Sequence, residues 1–304
     1  MAHIGVMIEA QEGLDWALWR GIVADAERLG FAALRVSDHC QSVFGVEGRR
    51  SLSAWVALAL AAEWTERIQL GTMVSPMTFY EPAVLARIAL AVDELSRGRL
   101  LLGVGTGWNM AEHERFGIPL PPTWGERFDR LEEGIRRIRQ ALDGREIPLL
   151  IGGGGPRRTR TIAAREAAEW NTAAPDAETF GAMCLALDDR CREIGRDPSE
   201  IRRSLMKACL VGRDLDELRL RAIEVAKVVP PPRITGETPD EILASARQRW
   251  FVGTPDEVVA QMRPFAEAGA ELFLLQHFAL DDADALELLA AEVEPQLAAI
   301  PLRW

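Results

Sequence analysis

Basic residues are in short supply. The 304-residue chain has 35 Lys and Arg against 46 Asp and Glu, a net charge of −11, which argues against a polyanion such as nucleic acid as partner. Long apolar runs are missing as well. Although 48% of the residues are hydrophobic, no run approaches the ~20 residues that span a bilayer, so no membrane partner is expected. Cysteine is scarce. Cys40, Cys184, Cys191 and Cys209 form no CxxC pair and no His/Cys metal spacing, so they read as free thiols of a reducing compartment, with Cys184 and Cys191 on one helix face. The start, MAHIGVMIEAQEG, enters a strand-like pattern with no basic n-region or small-residue cleavage site. A cytoplasmic protein is the expectation.

Short apolar runs alternate with longer amphipathic segments. HIGVMI, AALRV, RIQLGTMV, RLLLGVGTG, IPLLIGGGG, AEWNT, RSLMKACLVG and LFLLQHF read as strands, each followed by a helical pattern or a loop. Eight strand–helix units predict an α/β fold, a (β/α)8 TIM barrel with insertions in the βα loops. The doubly wound open sheet expects a Gly-rich turn after the first strand, and IEAQEGLD does not supply one. Residues 1–304 read as one domain, with an insertion near 212–250 around the Pro-stiffened stretch VVPPPRITGETPD. DPSE at 197–200 and TPDE at 238–241 and 254–257 read as capped helix starts rather than repeats.

A barrel places its chemistry at the C-terminal strand ends. That filter collects Glu9 and Gln11, Asp38 and His39, Met73 to Ser75, Thr106 to Asn109, Gly152 to Gly155, Asn171 and Thr172, and Gln276 and His277. The set is poor in metal ligands, with His39 and His277 its only histidines, so no metal is expected and a metal hydrolase is disfavoured. IGGGGPRRTR, four glycines between a strand and a helix, reads as an anion or phosphate site whose backbone N–H groups converge, with Arg157 and Arg158 adding charge. No Walker lysine follows, and neither a serine elbow nor a carboxylate pair is in evidence. In GVGTGWNMAEHERFG, Trp108 offers a wall to a flat ligand. Asn109 and Glu112 have the spacing of a helix cap, so Glu112 is either a cap or an acid–base group, and His113 reads as solvated. His39 lies at a working strand end, where Asp38 would fix the backbone or orient a ring nitrogen.

VSDHC, the 67–118 stretch RIQLGTMVSP…RFGI, IPLLIGGGGPRRTRTIAAREAAEWN and FVGTPDEVVAQMRPFAEAGAELFLLQ together resemble the bacterial luciferase-like superfamily, and within it the coenzyme F420-dependent oxidoreductase branch. The resemblance implies a barrel holding a deazaflavin with its ring in the mouth, and hydride transfer with a small organic substrate. It places His39, assisted by Asp38, beside the ring and a non-prolyl cis peptide at Met73–Val74 behind it. Thr106 and Gly107 would contact the ring or ribityl side, and Gly152, Gly153, Gly154, Gly155 and Arg157 the phosphate. His39, Trp108 and Glu112 are the catalytic candidates, and Trp108, Asn109 and His277 the substrate contacts. The second reading is an FMN-dependent monooxygenase using O2 and a separate reductase; a third is a non-catalytic flavin-binding barrel. Look-alikes are commonly homodimers. Two positions depart from the pattern: Arg35 stands where relatives carry an aromatic residue, and Trp108 where sugar-phosphate oxidisers carry an acid.

Overall fold

Parallel strands with helices on one face and a packed lumen on the other are buried on both sides, so they read as near-continuous apolar runs. That is the pattern in a computed structural model, which describes residues 1–301. Its strands are β1 (His3–Ile8), β2 (Ala33–Val36), β3 (Gln69–Thr72), β4 (Ser75–Pro76), β5 (Leu100–Gly105), β6 (Leu149–Gly152), β7 (Glu169–Thr172), β8 (Arg202–Val211), β9 (Phe251–Gly253) and β10 (Leu272–Gln276). All pair in parallel, in the order β10-β1-β2-β3-β5-β6-β7-β8, and β10 also pairs with β8. The sheet is therefore a closed eight-stranded (β/α)8 barrel. Its eight strands are the eight apolar runs read from the sequence. The two additions are short: β4 continues beside β5 just past the end of β3, and β9 extends the upper part of β8.

Alternation along each strand divides the core in two. Ile4, Val6, Ile8, Leu100, Leu102 and Val104 pack outward against the helices, whereas Met7, Ala33, Leu101, Leu150, Leu272 and Leu274 fill the lumen. The base of the lumen is polar. Gln69, Glu169 and Arg202 are the first residues of β3, β7 and β8, and Arg35 reaches them from β2. Its guanidinium donates to Gln69 O at 3.0 Å and Oε1 at 2.6 Å and lies 3.4 Å from Glu169 Oε2; Arg202 Nε donates to the same carboxylate at 2.9 Å. Arg35 is fully buried, and burial lowers its pKa to about 10. This layer accounts for the departure at position 35: the side chain is an internal ion-pair partner, not a ring contact.

Helix starts follow the expected cap chemistry, with one correction. Thr238 caps Pro239–Arg247 and Thr254 precedes Pro255–Glu267, but Asp197 caps only a 3-10 turn, Pro198–Glu200. Residues 212–250 carry the helices Leu215–Val228 and Pro239–Arg247, packed with the upper β8 strand in a small core of their own. Cys184 and Cys191 are both buried on the helix Ala177–Glu193. Among the described residues no helix is long and apolar enough to cross a membrane.

Candidate active site

The strand ends open on a cavity of about 750 Å³. Glu9, Ser37, Asn171, Met206 and Gln276 line it from the barrel strands and their ends, Phe44, Trp108, Trp250 and Phe278 wall it from the loops, and Trp124 and Phe128 from the helix Trp124–Ala141. Val74 shapes one side. The Met73–Val74 peptide is cis, and the Val74 side chain fills space that side chains on β5 and β6 would otherwise need. A Cβ on Gly103, Gly105 or Gly152 would come within 3.2, 2.7 or 3.0 Å of it. Gly105 and Gly152 thus make room for Val74, and Gly103 for the Thr72 carbonyl as well.

His39 is the imidazole of this cavity, and Glu112 holds it in place. Glu112, fully buried, places Oε2 at 2.8 Å from His39 Nδ1 and accepts the Cys40 N–H with its other oxygen. Burial alone would depress the histidine pKa, but the hydrogen bond and charge of Glu112 more than reverse that and raise it. His39 therefore keeps its proton to higher pH than an ordinary imidazole, and Nε2 is left for a ligand. The Trp108 ring stands edge-on to it, with centroids 5.9 Å apart. Asp38 points elsewhere. It accepts from Ser75 Oγ at 2.5 Å and Tyr80 Oη at 2.9 Å, and burial pushes its pKa up against those donors. Asp38 ties β2 to the β4 segment, and Glu112 orients the imidazole.

The glycine quartet is partly committed. Gly153, at φ +117°, donates its N–H to Asn171 O at 2.9 Å and accepts from Trp170 Nε1 at 3.0 Å. The helix Arg158–Glu166 behind it has Arg157 at the N-cap with no side-chain cap and no acid in its first turn. Gly155 and Thr159 bring this helix start to the cavity, so the donor set fits a phosphate. Arg158 is not available to it, because it pairs with Glu132 and Asp129 at 2.7 Å each.

Residues 1–272 match the model of the luciferase-like monooxygenase family. The chain belongs to this family. Relatives of the luciferase-like chain include the F420-dependent hydroxymycolic acid dehydrogenase of Mycobacterium tuberculosis, 29% identical over 309 residues that cover 90% of this chain and 82% of the relative. The F420-dependent glucose-6-phosphate dehydrogenase of Kineococcus radiotolerans is 27% identical, covering 90% of each chain. Among solved structures, an F420-dependent secondary alcohol dehydrogenase holding an F420–acetone adduct superimposes with a TM-score of 0.79 at 20% identity, covering 98% of this chain and 99% of that one. The FMN-bound oxygenating constituent of 3,6-diketocamphane monooxygenase from Pseudomonas putida gives 0.75 at 16%, covering 100% of both. At these identities the structural likeness is one of fold.

Of the residues singled out in the sequence, the luciferase-like cavity brings together His39, Met73, Val74, Thr106, Gly107, Trp108, Gly152, Gly153 and Gly155. Asp38, Asn109, Glu112, Gly154, Arg157 and His277 are not in its lining. Asn109 caps the helix Met110–Phe116 through the Glu112 N–H at 3.4 Å, so it is occupied as a cap and not turned to a substrate. His277 is corrected as a substrate contact: it is buried in a separate small pocket with Arg221 and Asp282, where burial lowers its pKa to about 4. His113 is not solvated but buried, at 2.8 Å from Thr78 Oγ1 and 2.6 Å from Asn109 O. The sequence reading passed over Phe44, Trp250 and Phe278, and the cations Arg233 and Arg249, which line the outer cavity. They come from loops and the 212–250 segment, where no strand-end filter applies. Glu9 and Gln276 did pass that filter but no motif marked them. Among the described residues no cluster of metal ligands occurs.

Proposed function

We propose that this protein transfers a hydride between coenzyme F420 and a small organic substrate. The observation that carries the reading is His39, backed by Glu112, facing the same cavity onto which the open start of the helix Arg158–Glu166 gives. The 5-deazaflavin supplies the hydride chemistry at C5 when bound. Gly155, Thr159 and the helix N–H groups, with Arg157 alongside, hold its phosphate; Met73 and Val74 back the ring, and Thr106 and Gly107 flank it. His39, oriented by Glu112, presents Nε2 as a donor beside the ring. Trp108 and the aromatic wall exclude water and favour an apolar substrate. With Trp108 where an acid would serve a sugar phosphate, the whole-chain likeness to glucose-6-phosphate dehydrogenases does not extend to their substrate.

FMN with O2 is the second reading, and one observation favours it. Arg158, spent on Glu132 and Asp129, thins the basic groove that the anionic F420 tail would follow. Titration of the purified protein with F420 and with FMN, followed by fluorescence quenching, separates the two. Micromolar binding of F420 is expected, and binding of FMN alone would overturn the F420 reading.

A further inference from the structure

Carboxylates around the mouth are all hydrogen-bonded within the protein, and of them Glu9 lines the cavity. Glu12 pairs with Arg49 at 2.5 Å, Glu112 with His39 at 2.8 Å, and Asp38 is held by Ser75 and Tyr80. Glu9 differs. Its two oxygens accept only neutral amide donors, Gln276 Nε2 at 2.6 Å on Oε1 and Gln11 Nε2 at 2.8 Å on Oε2. Among the described residues no cation stands within ion-pair distance of it. Each oxygen is thus oriented by one donor and keeps acceptor capacity. Glu9 is also the one carboxylate, and His39 the one imidazole, among the residues that line the cavity.

An alcohol oxidised by hydride loss must also lose its hydroxyl proton, and the two cavity groups are unequal to that task. His39 has its Nδ1 fixed against Glu112 at 2.8 Å and holds its proton to higher pH than an ordinary imidazole, which suits it to the donor's part. We propose that Glu9 is the base for the hydroxyl of an apolar alcohol substrate, an inference that rests on the hydride-transfer reading above. The C–H bond breaks with both electrons passing to the deazaflavin, which is reduced. The O–H bond breaks, its proton passes to a Glu9 oxygen, and the C=O bond of the oxidised product forms. The proton that balances the reduced cofactor comes from His39. Gln11 and Gln276 are positioning residues that aim the carboxylate.

The test uses the full-length protein, F420 and a panel of 2-propanol, cyclohexanol and benzyl alcohol. Glu9→Gln keeps the shape and should leave the F420 dissociation constant within about threefold of wild type while lowering kcat/KM by roughly 10²–10⁴-fold. Glu9→Asp should fall between the two, and formate should restore turnover to Glu9→Ala, a rescue that a merely structural carboxylate would not show. Wild-type turnover by Glu9→Gln, failure of formate rescue, or a parallel loss of F420 binding would overturn the assignment. So would a wild-type protein that binds F420 but oxidises no member of the panel. A wild-type protein that does not bind F420 at all sinks the cofactor reading, and the Glu9 assignment with it.

Discussion

Replacing Glu112 by Ala removes one side chain and leaves two donors behind, the His39 ring nitrogen at 2.8 Å and the Cys40 N–H. Both sit over a fully buried acceptor, and the His39 side chain is itself only 14% exposed. Breaking a buried charge pair from one side costs about 3–5 kcal/mol. The loss should depend on pH with a definite sign. His39 has its pKa raised in the folded state, so the stabilisation is fully present below the unfolded histidine pKa of about 6.5 and is lost as pH rises through the folded value. Hydrogen bonds to charged groups are worth about 1.5–3 kcal/mol and neutral ones about 0.5–1.5. The penalty of Glu112→Ala should therefore shrink by about 1–2 kcal/mol between pH 6 and a pH above the folded value. Urea unfolding of the wild type, Glu112→Ala, His39→Ala and the double variant gives both the penalty and the coupling energy. A penalty under about 1 kcal/mol, or one that grows with pH, would refute the claim that Glu112 holds a protonated His39.

Three further outcomes are expected. Arg35→Met should cost about 1–3 kcal/mol, because it removes the buried donor to the Gln69 carbonyl while Glu169 keeps Arg202 and Ser204; thermal and urea denaturation measure the loss, and an unchanged stability would contradict it. Gly107→Ala should lower the melting temperature, since Gly107 sits at φ +78° and its new Cβ would run into Thr78, the hydrogen-bond partner of His113; an unchanged melting temperature would contradict this. Trp108→Ala should leave stability within about 0.5 kcal/mol, as the ring is 53% exposed, while raising KM for apolar substrates.

What could be read from the sequence was whatever repeats locally. Strand-length apolar runs between amphipathic segments give away the barrel, and strand ends give away its working rim. The site itself depends on pairs distant in sequence. His39 and Glu112 are 73 residues apart, and the cap spacing of Asn109 and Glu112 describes only the helix that carries the carboxylate. His113 looked solvated because both its neighbours are acidic, yet the short helix turns it inward against Phe79, with ring centroids 5.1 Å apart. His277 failed for the opposite reason. It follows a barrel strand, but its own backbone N–H bonds to Met7 O and its ring falls on the outer side of the sheet in a second pocket. Arg35 was visible as an anomaly without an explanation, because its partner Glu169 lies 134 residues away.

The charged layer at the base of the barrel bears on how freely the mouth can change. Arg35, Gln69, Glu169 and Arg202 come from four strands and meet only when each strand is in its present register. Slipping any one by a single residue would turn its side chain to the opposite face and break the hydrogen bonds it shares with the others. The base thus fixes the alignment of the sheet independently of the loops above it. Phe44, Trp108 and Trp250 can then be exchanged to suit another substrate without putting the closure of the barrel at risk.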